Sequence, residues 1–318
     1  MNRWQPGADH EALRQRAALL ADIRSFFADR HVLEVDTPLL CSSGVTDPAL
    51  EPLLVEQGRS LTEARYLQTS PEYAMKRLLA SGSGPIYQIA HAFRDDESGR
   101  RHNPEFTLLE WYRPNLDHHA LMEEVAALVG GLLAREGSKK YSYRELFAEF
   151  VAVDPFSATA AELEAAARKL TDAGNLQGSR EFWLDMLLTH AIEPALADLG
   201  MVFVYDYPAP QAALARIVEV DGVSVGQRFE LYVDGVELAN GYCELTDATE
   251  QRRRFEEDNR RRLVAGKREL PIDDNLLAAM ASGLPDCSGV ALGIDRLLML
   301  KTGIDDIRRV QSFSWDRC

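Results

Sequence analysis

Residues 101–114, RHNPEFTLLEWYRP, constrain this chain more than any other stretch. The segment reads as a β-strand rich in aromatic and aliphatic residues, yet it carries Glu105 and Glu110. Side chains alternate faces along a strand. Phe106, Leu108, Glu110 and Tyr112 therefore share one face, and Glu105, Thr107, Leu109 and Trp111 share the other. One face presents an aromatic plate, a carboxylate and a phenol in a row. A carboxylate buried alone costs several kcal/mol or takes up a proton. Two readings fit Glu110: a structural ion pair with an arginine, or a pocket for a cationic ligand with Tyr112 as second partner. Glu105, on the other face, is explained by neither.

The segment before it, FRDDESG, ends a strand at Phe93 and opens a charged loop, so residues 85–114 form a strand–loop–strand unit. Arg94 in that loop suits a surface salt bridge or, through its bidentate fork, a phosphate. Residues 10–30 carry Leu13, Leu20, Ile23, Phe26 and Phe27 near one face at helical spacing. Short strands are expected at 31–40, 51–55 and 65–69. Ser70-Pro71-Glu72 opens a helix, with serine as cap, proline at the first helical position and glutamate at the positive dipole end. Helical patterns cover 118–135 and much of 143–200. Strands return at 202–206, 212–219, 227–233 and 235–245. Helices at 248–266 and 273–282 precede a strand-to-helix segment, CSGVALGIDRLLML (287–300). Strand clusters separated by helices predict an α+β fold, a mainly antiparallel sheet flanked by helices. One domain over residues 1–318 is expected, with a helical insertion at roughly 143–200.

Net charge is −15 and the sequence pI about 5.0. Nucleic-acid binders neutralise phosphates with a basic stripe, so nucleic acid is not the expected main partner. The densest basic run, RRRFEEDNRRR (252–262), reads as a solvated helix face. No apolar run approaches the ~20 residues that span a bilayer, and MNRWQPGADH lacks an apolar signal region. Cys41, Cys243, Cys287 and Cys318 are scattered, which fits a reducing cytoplasm. His118-His119 has no further ligand at helical spacing, so zinc is not expected.

A second acidic hairpin, FELYVDGVELANGYCELTD (229–247), places Glu230, Glu237 and Glu244 on or beside apolar strands. A carboxylate pair facing a nucleotide holds Mg²⁺. Strict alternation puts Glu237 and Glu244 on opposite faces unless a bulge, for which Gly241 is a candidate, turns one of them. GVALGIDR (289–296) sets glycines, open to close backbone approach or tight packing, before Arg296 at a helix start. There is no phosphate-binding GxxxxGK[ST] loop.

Together these blocks resemble the catalytic domain of class II aminoacyl-tRNA synthetases, most closely the lysyl type. EVDTPLL resembles the first class motif, FRDDESGRRHNPEFTLLEWY the second and GVALGIDRLLML the third. TSPEYAMKRLL (69–79) and ELANGYCELTDA (237–248) match the lysine subgroup. The resemblance runs in order over nearly the whole chain. It implies the class II catalytic fold, ATP and Mg²⁺ as cofactors, and a homodimer built on EVDTPLL. It implies that Arg94 binds the α-phosphate and Arg296 the γ-phosphate, with Phe106 and Arg296 sandwiching the adenine. Asp95, Asp96, His102, Asn103, Glu237, Leu238 and Gly293 complete the ATP site. Glu230 and Glu237 hold the metal. Ser70, Pro71 and Glu72 are implied to bind the substrate, Glu72 at its α- or β-ammonium. Glu110, Tyr112 and Glu244 bind its side-chain ammonium, and Asn240 its carboxylate.

Two features resemble the shortened lysyl-type paralogues that attach (R)-β-lysine to a lysine of elongation factor P. The first motif starts near residue 30, leaving no room for an OB-fold anticodon-binding domain, and the acidic charge makes tRNA an unexpected acceptor. Ala291 stands where lysyl enzymes usually have glycine. Asp95-Asp96 departs from the usual Asn-Glu, and Asp96 is one methylene short. The alternatives are a truncated enzyme that aminoacylates tRNA or another acceptor, and a non-catalytic regulatory paralogue. Such a paralogue tends to lose the arginines and metal carboxylates that this chain keeps.

Overall fold

The computed structural model describes residues 4–56, 58, 63–95 and 97–318. The chain divides into two compact units, one of Met1–Leu116, Gly131–Leu133 and Leu245–Cys318, the other of Asp117–Gly130 and Ala134–Glu244.

The first unit begins with α1 (His10–Ala28), which starts where Asp9 accepts the Ala12 N–H at 2.8 Å. Leu19, Ile23 and Phe27 recur at four-residue spacing and are fully buried. Phe27 stacks on Tyr87 at 4.3 Å and meets the edge of Trp111 at 5.4 Å, which seats α1 on the sheet. There follow β1 (Leu33–Glu34), β2 (Leu40–Cys41), β3 (Leu54–Val55), β4 (Arg65–Leu67), α2 (Glu72–Ala80), β5 (Ile86–Phe93) and β6 (Glu105–Pro114). The expected strand over 31–40 shrinks to β1, which pairs parallel with β5. Pro38, lacking an N–H, cannot extend that ladder. β5 and β6 are antiparallel, with Gln88 opposite Glu110 and Ile86 opposite Tyr112. β2, β4 and β3 form a small separate sheet.

In the second unit come α3 (His118–Leu133), β7 (Lys139–Ser142), α4 (Tyr143–Phe150), α5 (Ala160–Leu170), α6 (Arg180–Leu187), a π-helical turn at Leu188–Ile192 and α7 (Glu193–Ala195). Reciprocal capping boxes, Ser142 with Glu145 and Thr159 with Glu162, fix the starts of α4 and α5. Then follow β8 (Met201–Pro208), β9 (Ile217–Val220), β10 (Val223–Val233) and β11 (Val236–Cys243). The strand expected over 212–219 is confined to β9, because a short 3-10 turn occupies Ala209–Gln211 and Ala213 sits at φ 48°. β10 pairs antiparallel with β8, β9 and β11, while β7 runs parallel to β8. Asp234 (φ 51°) and Gly235 (φ 71°) make the two-residue hairpin turn between β10 and β11. Tyr143, Phe147, Leu163, Trp183, Leu187 and Val204 build this unit's core.

The chain returns to the first unit with α8 (Ala248–Val264), α9 (Asp274–Gly283), β12 (Cys287–Gly293) and α10 (Ile294–Thr302). β12 lies antiparallel to β6, with Ala291 opposite Glu110 and Gly289 opposite Tyr112. The run 252–262 departs from a wholly solvated face. Arg262 is fully buried, grips the Glu51 carboxylate at 2.8 and 3.0 Å, and donates to the carbonyls of Leu50 and Arg268.

Candidate active site

In the first unit the face of β6 is ordered as alternation requires. Glu110 is 2% exposed. Its Oε2 accepts from Ser70 Oγ at 2.6 Å and its Oε1 from Tyr112 Oη at 2.7 Å. Ala291 is its cross-strand neighbour on one side and Gln88 on the other, and Gln88 accepts from Thr37 at 2.9 Å. Pro71, rather than serine, takes the cap position of α2. Ser70 Oγ still accepts the Glu72 N–H at 3.1 Å while donating to Glu110, so one hydroxyl ties the helix start to the strand. Glu72 accepts from Lys76 Nζ at 2.6 Å, and Lys76 is 1% exposed.

The loop between β5 and β6 carries the expected phosphate and adenine residues. The Arg94 guanidinium lies 4.9 Å from the Phe106 ring centroid and pairs with Glu97 at 3.3 Å. The Asp95 N–H donates to the Glu51 carbonyl at 2.7 Å, so Glu51, held by the buried Arg262, anchors this loop. Asp96 lies outside the described residues. Arg296 meets His102 Nε2 at 2.6 Å. Burial first, then the Arg296 charge, lowers the His102 pKa, which favours the neutral ring, whose unprotonated nitrogen can accept from Arg296. Asn103 donates to the Glu105 carbonyl at 2.7 Å and accepts the Trp315 N–H at 3.0 Å. Gly293 precedes α10 at φ −76°, and an added Cβ would meet only Arg296 side-chain carbons, at 3.8 Å or beyond. Neither backbone nor packing demands glycine there, which leaves room for a ligand. Glu105 is resolved as an exposed pair with His91 at 3.0 Å.

In the second unit the parity question has a definite answer. The register steps from Leu231 opposite Ala239 to Tyr232 opposite Glu237, so Leu238 is the extra, bulged residue. The bulge is at Leu238 and not at Gly241. Of the seven steps from Glu237 to Glu244 one is absorbed, so alternation carried one residue past the end of β11 turns both carboxylates to one side. Asn240 shares that face, opposite Glu230, and accepts from Arg228 at 3.2 Å.

Glu230, expected to hold the metal, has three protein partners. It is 6% exposed, its Oε2 accepts from both Tyr207 and Tyr232 at 2.6 Å, and its Oε1 pairs with Arg228. These contacts engage both of its oxygens. Sequence reasoning missed its partners, although Arg228 and Tyr232 lie two residues either side of Glu230, the spacing of one strand face. It also missed Glu193. Burial first, then the charges of Glu237 and Glu230, push the Glu193 carboxyl up to about 7. Nothing in the helical pattern around Glu193 signals that neighbourhood. Among the described residues no cluster of three or more His, Cys, Asp or Glu is arranged to hold a metal. A two-carboxylate site completed by phosphates suits Mg²⁺, whose other ligands are water and phosphate oxygens.

The family described as tRNA synthetases class II (D, K and N) matches residues 6–317. Three proteins named elongation factor P–(R)-β-lysine ligase are similar over almost their whole length. The one from Salmonella dublin is 49% identical over 319 residues, covering 99% of this chain and 98% of the relative. Those from Salmonella paratyphi B and Salmonella enteritidis PT4 are 48% identical with the same coverage.

Proposed function

Because the chain belongs to the class II tRNA synthetases of the D, K and N type, we propose that it activates (R)-β-lysine with ATP and transfers it to a lysine side chain of elongation factor P. The observation that carries this reading is Glu110, a buried carboxylate oriented by Ser70 and Tyr112 on the face that also bears Phe106. Such a group suits a substrate ammonium. The Ala291 methyl, directly across from it, narrows the same place.

The reaction has two steps. The carboxylate of β-lysine attacks the α-phosphorus of ATP, forming the acyl-adenylate and releasing pyrophosphate. The acceptor amine then attacks the acyl carbonyl, forming an amide and releasing AMP. No protein nucleophile is required. Arg94 neutralises the α-phosphate and Arg296 the γ-phosphate, while Phe106 supports the adenine. Asp95, His102 and Asn103 shape the loop around the nucleotide. Gly293 and Leu238 admit it, Glu72 meets the backbone ammonium, and Asn240 places the carboxylate. Glu237 of β11 and Glu244 just past its end would hold Mg²⁺, which takes Glu244 from the side-chain-ammonium role that the resemblance implied. Bound there, the ion would screen phosphate charge. Glu230 supports that face through Arg228 and the two tyrosines. Leu33 and Leu40, exposed in and beside the first class motif, support a homodimer through that segment. The acidic balance supports a protein acceptor over tRNA.

The test is pyrophosphate exchange with (R)-β-lysine and with α-lysine, followed by transfer of label. The expected result is exchange favouring β-lysine and label on elongation factor P. Label on tRNA with none on elongation factor P, or no exchange by folded protein, would contradict it.

A further inference from the structure

Asp295 takes no part in the functional reading above, yet it stands between two of its residues. It is the second residue of α10, 2% exposed, and immediately precedes Arg296. Its Oδ1 pairs with Arg16 Nη1 of α1 at 2.6 Å. Its Oδ2 accepts the backbone N–H of Thr107 at 2.8 Å and Gln311 Nε2 at 3.3 Å. Arg16 closes the ring by donating from Nη2 to Thr107 Oγ1 at 2.6 Å. Gln311 also donates to the Glu105 carbonyl at 3.1 Å.

The Thr107 N–H belongs to the peptide that joins Phe106 to Thr107. One carboxylate therefore fixes the backbone beside the adenine plate and the first turn of the helix that bears the phosphate arginine. The Thr107 side chain points away from Phe106, so the brace works from behind the plate. A buried ion pair adds little net stability over a well-packed apolar cluster. Bidentate and charge-assisted contacts do impose geometry. We propose that Asp295, acting through Arg16 and Thr107, is a positioning residue that sets Phe106 and Arg296 in register for ATP. The inference rests on the ATP roles given above to Phe106 and Arg296.

The test uses the full chain, with ATP affinity read by equilibrium titration, the KM values for ATP and (R)-β-lysine by pyrophosphate exchange, and folded fraction by thermal melting. Asparagine at 295 puts an amide where a second acceptor oxygen is needed. Asp295→Asn should weaken ATP binding and raise the ATP KM about tenfold, with the β-lysine KM within about twofold of native. Thr107→Val should raise the ATP KM at least about threefold, and Thr107→Ser, which keeps the hydroxyl, should restore it. Folded Asp295→Asn with native ATP affinity would overturn the proposal. So would a loss confined to kcat that tracks the unfolded fraction, or an equal rise in both KM values. If Asp295→Asn does not fold, the Thr107 pair decides, and equal ATP affinity for Val and Ser would overturn it. Native protein that binds ATP but shows no β-lysine exchange would instead count against the proposed function, and the titration would still read the brace.

Discussion

Strands β6 and β11 each carry acidic side chains on an apolar background, and they obey different rules. β6 alternates without interruption from Glu105 to Pro114, so the residues counted onto one face are the ones found there. β11 absorbs an extra residue at Leu238, and the count from Glu237 to Glu244 changes parity. Counting locates a site where the ladder is regular. Where it is not, the register of the partner strand decides. The same partner strand shows that Glu230 belongs to an internal network with Arg228, Tyr207 and Tyr232.

The strongest way to break this contrast is through the two carboxylates that the bulge aligns. Glu237→Gln and Glu244→Gln should each lower pyrophosphate exchange about 100-fold at saturating substrate while the melting temperature holds. A loss in only one of them would mean that the shared face is not used as a pair. Glu230→Gln should behave in the opposite way. It should cost about 3 kcal/mol of stability in urea unfolding, because a partly buried Arg228 loses its charge partner, with exchange per folded molecule reduced far less. Undiminished stability with lost exchange would return Glu230 to the metal site.

A smaller effect concerns the cost of crowding carboxylates beside β11. The Glu193 pKa is raised from 4.5 to about 7 on folding, so the folded state keeps a proton that the unfolded state has lost. Stability should therefore fall as pH rises from about 4.5 to 7 and level off above. Glu193→Gln should remove that slope and exceed the native protein by on the order of 2 kcal/mol at pH 8, with the gap closing near pH 4.5. Parallel melts across pH would check it. The smallest effect is expected at Ala291 of β12. Ala291→Gly removes one methyl opposite Glu110 and should shift the α-lysine to β-lysine ratio of kcat/KM by about tenfold.

Much of this was legible in the sequence where one physical rule dominated. The helical spacing of Leu13, Leu20, Ile23, Phe26 and Phe27 found α1, but of these only Ile23 and Phe27 are fully buried, joined by Leu19, and alternation gave the β6 face. Ordered motifs pointed to Arg94 and Phe106, whose guanidinium and ring centroid lie 4.9 Å apart in the structure. The bulge was not legible, because Leu238 is an ordinary strand residue and only the pairing of Tyr232 with Glu237 reveals it. β7, Lys139–Ser142, carries no apolar alternation and is made a strand by its parallel ladder to β8. Arg262 sits in a run of charges that composition assigns to solvent, yet it is the one whose direction meets Glu51. Such placements depend on tertiary partners far away in the chain, and local pattern carries no record of them.

Glu110 is the proposed ligand of the amino acid's side-chain ammonium. Its most direct test is the steady-state kinetics of Glu110→Gln in β-lysine-dependent pyrophosphate exchange, with both substrates varied. The expected result is a fall in kcat/KM for β-lysine of at least about 100-fold, with the KM for ATP within about twofold of native. An unchanged kcat/KM for β-lysine, or an equal loss for both substrates, would make Glu110 a structural carboxylate and contradict the account.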